Sequence, residues 1–167
     1  MIDLFRLQRA TSSLKGESDY YRYSSAALGK GLPGEARGVL DEGFASKAID
    51  RTRPMFVETY RASGVKITAD RASLAGSERI ALSAATSRGA MSTGDAYLGY
   101  GEYAKAATLY RAALTKSGVD SNLANLRLGI ALARSGDKAG ASAALNAVSG
   151  PRQGIARLWL AYVGTLA

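Results

Sequence analysis

The feature that most constrains this chain is a constant shift between two stretches of its second half. Gly94, Tyr97, Gly101, Ala106, Tyr110 and Ala113 recur 35 positions later as Gly129, Leu132, Gly136, Ala141, Leu145 and Val148. A repeat of that period implies a supersecondary unit that buries its apolar face only against its neighbours. Within each unit the sizes alternate. A small residue at a helix crossing lets two backbones approach, and a Tyr or Leu beside it fills the remaining space. Gly101-Glu102 and Gly136-Asp137 fall between the two halves, where glycine supplies a positive φ and the acid suits the start of the next helix. Each unit therefore reads as helix, turn, helix.

These residues resemble the tetratricopeptide repeat. Its signature sets a small residue and an aromatic three apart on the first helix, then Ala, an aromatic or Leu, and Ala along the second. Gly94, Tyr97, Ala106, Tyr110 and Ala113 match it, followed by Leu128, Gly129, Leu132, Ala141 and Leu145. The family's first-helix tryptophan is replaced by Ala90 and Asn125, and its closing proline by Gly118 in the first unit. The resemblance implies an all-α fold, a right-handed α-solenoid of antiparallel helical hairpins, closed by a C-terminal capping helix. It also implies a non-enzymatic interaction or scaffold module, because first helices in this family line a concave groove that holds peptide segments. In the repeat register the groove candidates are Tyr21, Ser25 and Leu28, then Arg88, Met91, Asp95 and Leu98, then Leu126, Ile130 and Arg134. That mixed lining of apolar residues and two arginines suits a peptide with apolar anchors and an acidic group.

Upstream, Gly31 and Ala36 stand 70 positions before Gly101 and Ala106, two periods away. The expectation is one repeat domain over 1–167, with hairpins at about 18–45, 51–85, 88–117 and 122–149. Glu17 and Asp19 open a helix that runs through Leu28, and Pro33 starts the next at a position where its missing N–H is harmless. The hairpin at 51–85 keeps the least of the pattern: Pro54 to Ser63 and Thr68 to about Ala85 are its two helices, divided at Ser63-Gly64. Ile2 to Ala10 forms a short helix that lids the first hairpin. A last helix over 153–165 brings Ile155, Leu158, Trp159 and Tyr162 to helical spacing, so that Trp159 packs into an end cap.

Composition supports helices packed through small residues. Hydrophobic residues make up 47% of the 167 but aromatics only 8%, so burial rests on Ala and Leu. There is no Cys and no His, which removes thiolate and imidazole ligands and the commonest general base. No metal, cofactor or catalytic set is expected. Gly99-Tyr100-Gly101 is not a phosphate loop, since no strand precedes it and no Gly-Lys-Ser/Thr follows. The acids Glu17, Glu35, Glu102, Asp120 and Asp137 fall at helix starts and read as caps or macrodipole partners.

The net charge of +8 and a pI near 9.9 make nucleic acid or another polyanion the second reading. The cations are scattered singly, as at Arg6, Arg9, Lys15, Arg22, Lys30 and Arg37, which reads as a solvated face. No run approaches the roughly 20 apolar residues of a membrane span, and the N-terminus lacks a basic start followed by an apolar run. A soluble chain is expected, and one that opens almost inside an amphipathic helix is expected to continue upstream.

Overall fold

The computed structural model describes residues 1–166. They form α1 (Ile2–Ala10), α2 (Gly16–Gly29), α3 (Pro33–Ala45), α4 (Pro54–Ser83), α5 (Arg88–Gly99), α6 (Tyr103–Leu114), α7 (Ser121–Ser135), α8 (Lys138–Asn146) and α9 (Gln153–Thr165). A 3-10 turn at Gly150–Arg152 precedes the last of these. Among the described residues the chain is all-helical and has no strand. Two compact units, Met1–Leu74 and Ala75–Ala167, divide it at a point within α4.

One turn is built three times. After α2, α5 and α7 a glycine takes the left-handed conformation, Gly31 at φ +73, Gly101 at +78 and Gly136 at +88. The N–H of the following residue reaches back to a carbonyl of the last helical turn: Leu32 to Ala27, Glu102 to Tyr97 and Asp137 to Leu132, at 3.0, 2.9 and 3.0 Å. The glycine N–H bonds to Leu28, Leu98 and Ala133 in the same way. This is the Schellman arrangement, which satisfies carbonyls that the helix leaves without partners. The shifts of 70 and 35 expected from the sequence therefore hold at the level of individual hydrogen bonds.

Packing follows the same register. Ala36, Ala106 and Ala141 are fully buried, and so are Leu40, Tyr110 and Leu145 four residues on. A Cβ on Gly94 would stand 2.8 Å from the Tyr110 ring, and one on Gly129 would stand 2.5 Å from Leu145. The first pair solves the same problem with Ser24, buried opposite Leu40 in the register. Gly43 takes the place of Ala113 and Val148, because Ile49 and Tyr20 fill the space its side chain would need.

In unit 1, α2 packs on α3, and α1 adds Ile2 and Phe5 to a core with Tyr23, Val39, Leu40 and Phe56. Phe5 stacks on Tyr23 with ring centroids 5.3 Å apart. In unit 2 each helix from α5 to α9 packs on the next, and α9 also touches α7. Asp120 and Asp137 cap α7 and α8 by accepting from the N–H groups of Leu123 and Gly140. Trp159 is fully buried in α9, as the end-cap reading requires, whereas Leu158 is half exposed and lies off the packed face.

The expectation of a hairpin at 51–85 is corrected. One helix of 30 residues, α4, runs where two helices and a turn were read. The residue 35 positions after Gly31 is Lys66, which gains nothing from a left-handed turn. Ser12 and Lys47 do adopt positive φ without glycine, at +53 and +59. There the hydroxyls of Thr11 and Ser46 bond to the last carbonyls of α1 and α3, and Ile49 is drawn into the core. Nothing comparable acts at Lys66, whose neighbours Val65 and Thr68 are exposed, so continued helical bonding prevails.

Gly64, read as a breaker, serves a close approach instead. The Arg37 guanidinium occupies the space of its missing side chain, donates to the Tyr60 carbonyl at 3.1 Å and lies 3.5 Å over the Tyr60 ring. At the far end, Lys116 Nζ donates to the carbonyls of Leu82 and Ala84, a cation placed where the helix dipole is negative.

Gly136→Ala is expected to cost about 1 kcal/mol of unfolding free energy, since the alanine must hold a left-handed φ in otherwise open space. Gly76→Ala, inside α4 and equally open, is expected to add about 0.5 to 1 kcal/mol. Opposite signs in urea titrations check both. Tyr110→Ala, emptying a fully buried site, is expected to cost roughly 3 to 5 kcal/mol.

Candidate functional site

Each unit holds one carboxylate at the meeting of three helices. In unit 1 it is Glu35 of α3, buried, which accepts from Arg6 Nε and Nη2 of α1 at 2.8 and 2.7 Å and from the Tyr23 hydroxyl of α2 at 2.7 Å. Arg6 also pairs with Asp3 at 2.8 Å. Glu35 lies in the first turn of α3, as the macrodipole reading expects, and its bonds go to side chains of the other two helices. In unit 2 it is Asp95 of α5, which accepts from the Tyr110 hydroxyl of α6 at 2.7 Å and pairs with Arg127 of α7 at 2.5 Å. Both are side-chain centres fixed by an arginine and a tyrosine hydroxyl, with Arg6 shared between two carboxylates in unit 1.

Their electrostatics follow from burial and pairing. Burial and the adjacent Glu35 charge raise the Tyr23 hydroxyl far above the ordinary tyrosine range. For Arg9, burial opposes the charge, but its fork onto Glu42 prevails and the guanidinium is held still more firmly protonated. Tyr97 is raised by burial and by its bond to Glu78.

Of the groove candidates only Tyr21 and Arg88 are exposed. In unit 2, Leu98 is buried and Leu126 and Ile130 are each only 1% exposed, because α6, α8 and α9 all pack on α7. Asp95 is engaged as described, and Arg134 lies over the Tyr103 ring and bonds to its hydroxyl at 3.1 Å. Met91 is half-buried. Arg88 alone of this set is exposed, beside a shallow hollow of about 390 Å³ lined by Thr86, Ser87, Ser117 and Gly118. In unit 1, Ser25 and Leu28 are half-buried, while Tyr21 is exposed and sets its ring edge-on to Phe56, 6.3 Å between centroids.

Beyond Tyr21 the same aromatic cluster opens into a cleft of about 270 Å³ between the end of α3 and the first turns of α4, lined by Phe44, Arg51, Val57, Tyr60 and Arg61. Phe44 meets Phe56 and Tyr60 edge-on at 6.4 and 5.6 Å, and the Arg51 guanidinium lies 4.6 Å over its ring. Sequence reasoning missed this place because it followed the repeat register, which fails there. The available signal was two of the three phenylalanines close to Arg51, Arg53 and Arg61.

Among the described residues no group of three or more Asp, Glu, His or Cys could hold a metal ion, and no helix is long and apolar enough to cross a membrane. Comparison with known proteins returns no match to a family model, a curated sequence or a solved structure.

The Tyr23–Glu35 pair sets an alkaline limit. The unfolded tyrosine ionises near pH 10 and the folded one higher, so its contribution is complete below about pH 10 and is lost as the pH rises further. Tyr23→Phe is expected to flatten the fall of stability between neutral and alkaline pH. Glu35→Ala, which leaves Arg6 with Asp3 and takes the acceptor from the buried Tyr23 hydroxyl, is expected to cost about 3 kcal/mol at neutral pH in denaturant titrations.

Proposed function

We propose that the chain is a non-enzymatic interaction module of the helical-repeat kind, resembling tetratricopeptide repeats, whose surface holds a peptide or protein partner. One observation carries this reading: three helix pairs repeat the same left-handed glycine, the same back-bonds and the same buried Ala at shifts of 35 and 70. Repeats of this kind stack into extended surfaces, and extended surfaces suit partner binding better than enclosed chemistry. The right-handed solenoid with its end helix α9 belongs to the same proposal. Fold alone does not determine function, so the module stands or falls on binding.

Net charge supports the second reading, a polyanion. The two differ in salt response, because a nucleic-acid complex releases condensed counterions and weakens steeply as salt rises. The immobilised full chain is expected to retain a discrete set of proteins at moderate salt, and to lose some of them on Arg88→Glu, the one exposed groove residue of unit 2. Retention of nucleic acid alone, with a steep salt slope, would replace the module by the polyanion reading.

A further inference from the structure

We propose that the Phe44–Tyr60 cleft of unit 1 receives an acidic peptide segment of a partner protein, a large apolar side chain seated in the hollow against Phe44, Val57 and Tyr60 and flanking carboxylates pairing with Arg51 and Arg61. The proposal rests on the module reading and names the chemistry of its partner.

The cleft is built rather than incidental. Its floor is rigid: Phe44 is held edge-on by Phe56 and Tyr60, and Tyr60 is clamped on its other face by Arg37, itself bonded to the Tyr60 carbonyl and the Ser63 hydroxyl. A preformed apolar site spares a ligand the cost of ordering it. Val57 forms one wall and is 48% exposed in a chain that buries most of its large apolar residues.

Charge then selects the partner. Among the described residues neither Arg51 nor Arg61 is in an ion pair. The nearby acids are otherwise engaged or unpaired with them: Asp50 accepts from the N–H and hydroxyl of Thr52 at 2.8 Å, Glu17 pairs with Arg53 at 3.3 Å, and Glu58 pairs with neither arginine. Two guanidiniums outside any ion pair, one of them lying over the Phe44 ring, put forked donors beside a single apolar hollow and match a carboxylate flanking an apolar anchor. A polynucleotide would instead need a row of cations tracking its phosphates.

The test is a proton–nitrogen correlation titration of the labelled full chain with blocked tripeptides. Asp-Phe-Asp at millimolar concentration is expected to shift resonances of residues 44–61, while Asp-Ala-Asp and Lys-Phe-Lys leave them unmoved. R51E/R61E is expected to weaken Asp-Phe-Asp at least about tenfold with unchanged circular dichroism. Val57→Asp, which alters the apolar wall and leaves both arginines, is expected to weaken it as well.

Absence of any shift, equal binding by Lys-Phe-Lys, or undiminished binding by R51E/R61E would overturn the proposal. So would an oligothymidylate that shifts the same residues more strongly than the peptide. A protein partner captured equally by the parent chain and R51E/R61E would overturn the cleft while leaving the module reading in place.

Discussion

A left-handed residue between two helices is the constraint on which the remaining structure depends. At Gly31, Gly101 and Gly136 it ends one helix, satisfies the freed carbonyls and aims the next helix back along the first. Once the chain turns there, the residues facing each other across the pair are determined by their distance from the turn. Glycine or serine must then face the large side chain, and alanine must stand where the helices come closest. The 35-residue period is the spacing between successive solutions of that one problem. Where Lys66 stands in the turn position, no reversal occurs and a single helix runs through.

Small-residue packing brings neighbouring helices together but specifies register weakly, since Ala and Gly fit at many offsets. A buried carboxylate in unit 1 and a half-buried one in unit 2 supply what packing lacks. Glu35 ties α1 to α3 with Tyr23 of α2 between them, and Asp95 ties α5 to α7 with Tyr110 of α6 between them. Each connects a helix to its second neighbour, with a tyrosine hydroxyl from the helix between. The order is reversed: arginine comes first in unit 1 and carboxylate first in unit 2. A buried charge with its partner removed is costly, so these centres penalise slipped arrangements more than they stabilise the native one.

Helix content and most helix boundaries were legible because they depend on local signals: the acids of α2, Pro33, the cap at Asp120 and the turn glycines. So was the burial of Trp159 and Tyr110, which follows from periodicity. The fusion at α4 was not, because Gly64 reads as a breaker until the Arg37 side chain that fills its space is seen, a contact from another helix. The burial of Leu126 and Ile130 likewise depends on contacts from other helices. Leu126 and Ile130 carry the pattern of an exposed inner face, and only the packing of α9 as well as α6 and α8 against α7 shows that face to be covered. The cleft at Phe44 escaped for the related reason that its residues converge from a helix end, a loop and α4.

The single helix α4 exists because the chain does not reverse at Lys66, and backbone carbon shifts with amide exchange across residues 60–72 probe that continuity. Unbroken helical shifts with continuous protection through Gly64, Val65 and Lys66 are predicted. A coil break at 64–67 with helix on either side would contradict it, and would restore a fourth turn to the register.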